Sequence, residues 1–202
     1  MPEGSGTLGA EETLHIFRDA VEGIVRIASA FSEDDWSRPT SCSEWCAGEL
    51  AAHLRTTAAR YHDDLDQAVA GTPAAVHTGV DLAQLNARMV NAVAPDSGFE
   101  HIEVFQELAL TYAERLPAVW DVRPFTSGWS ASVGEAAGAM AIEWHVHAWD
   151  LARSVARDYR PESTTTLASA WQVSLAPFFS VAVPDGDAWD ALLLLYSREL
   201  DW

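Results

Sequence analysis

Residues 139–153 read AMAIEWHVHAWDLAR, and this stretch decides the predicted fold. Apolar residues dominate it and polar residues recur at helical intervals, so we predict a helix from about Ser130 to Arg157. The same reading predicts further helices at Thr13–Phe31, Glu44–Ala70, Asp81–Val93, Gly98–Leu116, Ser163–Ser180 and Gly186–Arg198. No alternating run bounded by turn residues indicates a strand. The sequence therefore predicts an all-α fold.

Polar residues interrupt this apolar helix on one face. Glu143 and His147 lie four residues apart and are neighbours on a helix, and Asp150 follows three residues later. His145 points roughly the opposite way and does not belong with them. A glutamate that faces an apolar core is costly unless it is paired or bound to a cation. The pattern is compatible with a metal site and also with a Glu–His hydrogen bond in a buried polar network.

The predicted second helix carries a similar set of polar residues. Cys46, Glu49 and His53 stand at positions i, i+3 and i+7, which places them on one helical face. A lone histidine between Leu50 and Leu54 is more often a core residue than a ligand. Bundles nevertheless build metal sites from side chains on facing helices. Two helices with polar faces in apolar sequence therefore indicate a shared interior site.

Two other kinds of site fit the spacing less well. The two Glu-x-x-x-His pairs resemble a di-iron carboxylate bundle, but such bundles use Glu-x-x-His, which is shorter by one residue. Cys42 and Cys46 are separated by three residues, whereas the thioredoxin-type motif has two. We interpret them as two ordinary thiols. Cys46 remains a candidate for a fourth ligand or a thiol beside the metal, with a small buried hydrophobe as the default.

The charge balance excludes several classes of partner. Twelve basic residues against thirty acidic ones give a formal net charge of −18. Nucleic-acid binding depends on Lys and Arg that neutralise phosphates, so neither nucleic acid nor an anionic membrane is an expected partner. No apolar stretch approaches the ~18 residues of a membrane span, and the N-terminus lacks the features of a secretory signal. We expect one cytoplasmic domain over residues 1–202, with residues 1–10 flexible.

Three separated motifs, in the right order, resemble one known family. They are WSRPTSCSEW at 36–45 followed by LAAHL at 50–54, EWHVHAWDLAR at 143–153, and the ending DAWDALLLLYSRELDW at 187–202. The first two are similar to the N-terminal domain of mycothiol-dependent maleylpyruvate isomerase, in the DinB/YfiT-like superfamily. The ending is similar to the close of a shorter actinobacterial metal-binding branch. The resemblance spans nearly all of the chain.

This resemblance implies a four-helix bundle with a long crossover, extra short C-terminal helices and a divalent metal at one end of the core. The ligands that it implies, and that the spacing also indicates, are His53, Glu143 and His147. The residues expected to surround these ligands or to line the pocket are Asp150, Cys46, Glu49 and Trp45. Two imidazoles and one carboxylate leave a coordination position open, which is the pattern of catalytic zinc. Nickel and non-haem iron are the alternatives.

The family reaction implies an enzyme, an isomerase or a transferase, that handles a low-molecular-weight thiol such as mycothiol and a small electrophilic substrate. Thiolate adds to an activated double bond, the bond rotates, and thiolate leaves; isomerisation and S-transfer share the first step. Two alternatives stay open: a non-catalytic metal-binding or stress protein, and a thiol-independent enzyme of specialised metabolism. The isomerase has a C-terminal domain that helps to hold its thiol, and none is expected here. Weaker thiol binding follows, unless the final helices or the second subunit of a homodimer supply contacts.

Overall fold

The computed structural model describes residues 8–42, 45–72, 79–93, 96–123, 131–181 and 183–197. Its helices are α1 Ala10–Ala28, α2 Ala47–Val69, α3 Gly79–Ala92, α4 Gly98–Val119, α5 Val133–Ser154, α6 Thr164–Ser174, α7 Ala176–Phe179 and α8 Ala188–Leu195, with a 3₁₀ turn at Glu33–Ser37. Within the described ranges the chain forms no strand, only an isolated bridge between Pro39 and Cys46. The all-α prediction is confirmed.

Four of these helices form a bundle. α1 packs along α5, α2 packs along α4, and contacts between α1 and α4 join the two pairs. α3 lies in the crossover between α2 and α4 and contacts α2, while α6 packs on α5 and α8 packs on α6. The expected bundle with a long crossover and short C-terminal helices is therefore confirmed.

An aromatic cluster fixes the rotation of α5 in the bundle. Trp144 is almost fully buried, and its ring centroid lies 4.6 Å from that of Phe17 on α1 and 4.9 Å from that of Phe105 on α4. Successive helical residues point about 100° apart. With Trp144 turned toward α1 and α4, the neighbouring Glu143 is free to face α2.

Capping residues set the starts of the long helices. The sequence placed the start of the α5 helix at Ser130, but Ser132 is the N-cap, and its hydroxyl accepts a hydrogen bond from the backbone N–H of Glu135. Glu135 in turn accepts one from the backbone N–H of Ser132 at 2.6 Å. Such a capping box satisfies two backbone donors that have no partner inside the helix. Ser97 begins α4 in the same way.

The predicted bounds of α1 and α2 need correction for a similar reason. α1 begins at Ala10 instead of Thr13, since the Glu12 carboxylate accepts a hydrogen bond from the backbone N–H of Gly9. α2 begins at Ala47 instead of Glu44, because Cys46 has an extended backbone and serves as the N-cap. Both starts are determined by a carboxylate three residues into the helix, a signal that apolar periodicity does not contain.

The helix predicted at Ser163–Ser180 is wrong as a single element. It divides into α6 and α7 at Leu175. Pro177 has no backbone N–H and cannot donate to the carbonyl of the preceding turn, so a continuous helix loses a hydrogen bond there. The last helix is also shorter than predicted and starts after Asp187, whose carboxylate accepts hydrogen bonds from the backbone N–H groups of Trp189 and Asp190.

Some predictions fall on parts of the chain that the structure does not describe. These are the flexibility of residues 1–7, residues 43–44 of the first motif and residues 198–202 of the C-terminal motif. Among the helices that are described, none combines the length and apolarity that a membrane crossing requires.

Trp36 connects the start of α2 to the start of α4. It is 7% exposed, and its ring centroid lies 4.7 Å from that of Phe31 and 5.1 Å from that of Phe99. Just after it, the carbonyl of Arg38 accepts a hydrogen bond from the backbone N–H of Ala47 at 2.9 Å. The Trp36 segment therefore helps to place the beginning of α2, the helix that carries the candidate histidine.

Gly98, the first residue of α4, leaves room for this indole ring. A Cβ at this position would come within 2.1 Å of Cδ2 of Trp36. We expect Gly98→Ala to lower the free energy of unfolding by about 1–3 kcal/mol through overpacking, although Gly-to-Ala changes inside helices ordinarily stabilise. Urea-induced unfolding of the two proteins measures the difference.

A double-mutant cycle is the control for this prediction. In a Trp36→Leu background, Gly98→Ala should cost much less, because the ring atoms that the new methyl group meets are gone. An equal loss of stability in both backgrounds would show that the contact with Trp36 is not the cause.

Candidate metal centre

His53, Glu143 and His147 come together between two helices of the bundle. His53 lies near the start of α2, and Glu143 and His147 lie one turn apart on α5. Oε1 of Glu143 is 3.5 Å from Nε2 of His53 and 3.8 Å from Nε2 of His147. One ligand atom from each residue lies within 4.8 Å of the others, and among the described residues no other group of three or more such side chains does so. These residues could hold one metal ion.

The separations suit a shared cation better than direct hydrogen bonds. A charge-assisted N–H···O bond is about 2.7–2.9 Å long, and both His–Glu separations exceed this. Two ligand atoms bound tetrahedrally at ~2.1 Å from one ion stand about 3.4 Å apart. The buried polar network that was the alternative interpretation would require closer contacts between the imidazoles and the carboxylate.

Each imidazole has a partner on the side away from Glu143. Nδ1 of His147 is 3.1 Å from Oδ2 of the fully buried Asp150, and Nδ1 of His53 is 3.3 Å from the hydroxyl of Thr57. A group bonded to one ring nitrogen sets the tautomer and the direction of the other nitrogen. Both Nε2 atoms are thereby directed toward Oε1 of Glu143.

The second carboxylate oxygen of Glu143 also has a partner. The Tyr61 hydroxyl, from α2, donates a hydrogen bond to Oε2 at 2.8 Å. The side chain of Glu143 is 26% exposed, whereas those of His53 and His147 are 3% and 8% exposed. The cluster is therefore accessible to solvent on the side of Glu143 and closed on the side of the histidines.

The electrostatic environment favours the metal-binding protonation state of Glu143 and of His53, but not that of His147. Burial acts to raise the pKa of Glu143, but the adjacent imidazoles of His147 and His53 outweigh it and hold that pKa well below its ordinary value. Burial lowers the pKa of His53. For His147 burial acts in the same direction, but Asp150 and Glu143 raise its pKa overall. An ionised Glu143 and a neutral His53 are the forms that bind a metal, whereas His147 must lose its proton when it binds one.

Three more residues were expected near the ligands, and the structure places one of them against a ligand side chain. These residues are Trp45, Cys46 and Glu49. Trp45 lies against His53, with ring centroids 4.5 Å apart and planes 33° apart. Cys46 is half-buried as the N-cap of α2, and its Sγ is not part of the group of ligand atoms found among the described residues. Glu49 is exposed and accepts a hydrogen bond from the backbone N–H of Cys46 at 2.8 Å. Helix capping, and not a shared face with His53, determines the position of Glu49.

The two cysteines are not bonded to each other. In the described part of the chain no disulfide joins Cys42 and Cys46, and their interpretation as ordinary thiols stays a prediction.

His145 is excluded from the cluster, as its helical position predicts. It is fully buried on the opposite side of α5, where Nε2 lies 3.1 Å from the carbonyl oxygen of Ile16 and Nδ1 lies 2.6 Å from the Tyr159 hydroxyl. Burial lowers the pKa of His145 to about 4, so the ring is neutral at physiological pH. Its role is to join α1, α5 and the segment after α5.

Sequence reasoning missed two residues of the cluster, Thr57 and Tyr61. They follow His53 at i+4 and i+8 and so lie on the same side of α2. That spacing was a usable signal. Thr and Tyr are nevertheless common in helices, and nothing in the local sequence shows that their hydroxyls reach a histidine and a glutamate.

Comparison with known proteins identifies the family. The sequence model described as "Mycothiol maleylpyruvate isomerase N-terminal domain" matches residues 17–152, about two-thirds of the chain. The match includes all three residues of the cluster. Neither the curated proteins nor the solved structures contain a significant match. On the family match and the helical fold together, the chain belongs to the mycothiol maleylpyruvate isomerase N-terminal domain family, a branch of the DinB-like superfamily.

Proposed function

We propose that this chain is a metal-dependent enzyme that activates a small thiol, or an unsaturated carbonyl or other electrophilic substrate, at a divalent ion held by His53, Glu143 and His147. The observation that carries the proposal is the convergence of these three ligand atoms within 4.8 Å of one another. The reaction class, isomerisation or S-transfer, is taken from the family to which the chain belongs.

Zinc fits the donor set best. Two imidazole nitrogens and one carboxylate oxygen occupy three positions, and catalytic zinc sites keep a fourth for water or substrate. The same donors also suit nickel and ferrous iron, which are the alternatives. The partial exposure of Glu143 supplies a side from which a substrate can approach.

The bound ion would supply Lewis acidity, lowering the pKa of a thiol or polarising a substrate carbonyl. The protein's own residues would direct that chemistry. Asp150 and Thr57 orient the two imidazoles through their Nδ1 atoms. Trp45 covers one face of His53 and adds an apolar surface beside that residue. A partly apolar surrounding strengthens electrostatic interactions in a site.

The thiol part of the proposal rests on the family alone. The family description names mycothiol, and a low-molecular-weight thiol would be available in a reducing cytoplasm, where we place the protein. The two alternative functions are a metal-handling protein without catalysis and a thiol-independent enzyme. Each leads to a different expected result in the experiments below.

We expect about one tightly bound divalent metal per chain. His53→Ala and His147→Ala should each lose most of it, because two remaining donors hold a divalent ion poorly. Elemental analysis of untagged protein measures the content. The matched control is His15→Ala, which removes an exposed histidine of α1 and should leave the content unchanged. Full metal content in both of the first two variants would overturn the ligand assignment.

Asp150 should affect the metal affinity of the site without being a ligand. Because its carboxylate lies on Nδ1 of His147, Asp150→Asn should weaken metal affinity by about 10–100-fold and not abolish it. Competition with a chromophoric chelator measures the affinity. Complete loss of metal from a folded Asp150→Asn protein would indicate direct ligation instead.

If the open position activates a thiol, millimolar mycothiol or a surrogate should change the spectrum of the cobalt-substituted protein. A cobalt–thiolate bond produces charge-transfer absorption, which a thiol bound elsewhere does not. Turnover of an unsaturated keto acid or another electrophile should then require both metal and thiol. An unchanged spectrum, together with activity that does not need thiol, would favour the thiol-independent enzyme; an unchanged spectrum without activity would favour the metal-handling protein.

A further inference from the structure

We propose that Tyr61 is a positioning residue of the metal centre: its hydroxyl holds Oε2 of Glu143 so that the carboxylate binds the ion through Oε1 alone. This inference rests on the metal centre proposed above. It adds a residue outside the ligand set and explains how a coordination position stays open beside a carboxylate that could fill it.

The geometry separates the two oxygens of Glu143 by role. Oε1 faces Nε2 of His53 and of His147, at 3.5 and 3.8 Å. Oε2 accepts the hydrogen bond from Tyr61 at 2.8 Å, a distance within the normal range for O–H···O⁻ contacts. One oxygen is therefore directed to the site of the ion and the other is occupied by a phenol.

Tyr61 is held firmly enough to impose this arrangement. The guanidinium of Arg60 lies over its ring, 5.1 Å from the centroid. The ring centroids of Trp144 and Tyr112 each lie 6.3 Å away, which connects Tyr61 to the aromatic core. Because an aromatic side chain has few rotatable bonds, such contacts fix the position of its hydroxyl at low entropic cost.

The chemistry of the two groups agrees with the direction of the hydrogen bond. A phenol can donate, whereas an ionised carboxylate can only accept, so the Tyr61 hydroxyl donates to Oε2 of Glu143. A hydrogen bond to an ionised acceptor is stronger than one between neutral groups.

Removing the hydroxyl should change the coordination, not only the affinity. Without Tyr61 the freed Oε2 can turn toward the ion and bind it as a second carboxylate oxygen. The ion would then gain one oxygen ligand and lose the position that a substrate needs. A purely structural role for Tyr61 predicts lower stability with unchanged coordination.

The experiment compares wild type, Tyr61→Phe and Tyr112→Phe. Tyr112 is the matched control, because it is a tyrosine of the same aromatic cluster whose ring packs on that of Tyr61 but which lies on α4, outside the ligand set. Each protein is made metal-free and loaded with cobalt; affinity is measured by chelator competition, and coordination by visible absorption and X-ray absorption. We expect Tyr61→Phe to show weaker visible cobalt bands and about one more protein oxygen neighbour, while the lost hydrogen bond and the gained oxygen ligand change the affinity in opposite directions. Tyr112→Phe should match wild type in both readouts.

The outcomes separate this inference from the proposed function. Wild-type affinity and an unchanged spectrum in Tyr61→Phe would overturn the positioning role and leave the metal centre intact. The same change in both variants would assign the effect to loosening of the aromatic cluster and would also overturn it. Failure of wild type to bind cobalt would overturn the metal centre and this inference together. A metal centre that shows no thiol or substrate chemistry would refute only the proposed reaction.

A second substitution covers the case in which metal-free Tyr61→Phe does not fold, as judged by circular dichroism. Site-specific replacement of Tyr61 by 3-fluorotyrosine keeps the ring and makes the hydroxyl a stronger donor. The inference then predicts a shifted cobalt spectrum relative to wild type, whereas the same replacement at Tyr112 should give none. Identical spectra in wild type and the Tyr61 replacement would contradict the positioning role.

Discussion

The structure depends on the way in which one carboxylate is accommodated inside a helical bundle. Glu143 stands in the apolar sequence of α5, where an isolated charge would be strongly unfavourable. Two imidazoles face one of its oxygens and a phenol donates to the other. Two of the three partners, His53 and Tyr61, come from α2, so compensation of this charge requires α2 and α5 to lie side by side at this level of the bundle.

The remaining faces of α5 explain why that alignment is unique. Trp144 fits between Phe17 and Phe105, and His145 reaches the backbone of α1 at Ile16. These contacts fix both the rotation and the axial position of the helix, since a turn of 100° would place the Glu143 carboxylate in the apolar position that Trp144 occupies. The aromatic core and the polar cluster are thus two consequences of the same helical register.

Around the ligand atoms, each side chain has its own support. Asp150 bonds to His147, Thr57 to His53, and Tyr61 to Glu143. The supports differ in charge: a carboxylate makes His147 a stronger base, whereas His53 has only a hydroxyl and an adjacent indole. Supporting groups of this kind adjust the affinity and reactivity of a metal that they do not touch. Family membership is compatible with this arrangement. The sequence already predicted Asp150 beside the ligands, whereas the contacts of Thr57 and Tyr61 were visible only in three dimensions.

The sequence by itself determined the helical class, the approximate helices and the three central residues of the cluster. Helical periodicity is a local property, so the Glu143–His147 pair and the opposite direction of His145 followed from spacing alone. Helix starts were less accurate, because they depend on short-range hydrogen bonds that the carboxylates of Glu12, Glu49 and Glu135 accept from backbone N–H groups. Glu49 shows the limit clearly: its position on the helix agreed with a place beside His53, but its carboxylate bonds to the backbone N–H of Cys46.

Only the tertiary structure decided which distant groups meet. The Tyr61 hydroxyl and the Glu143 carboxylate are 82 residues apart in the chain, and no spacing rule connects them. Their contact exists because aromatic packing turns α5 so that Glu143 faces α2, where Tyr61 stands two turns beyond His53. Local sequence can state that a residue lies on a given side of a helix; which helix lies opposite that side, and at what height, is decided by the packing of the whole bundle.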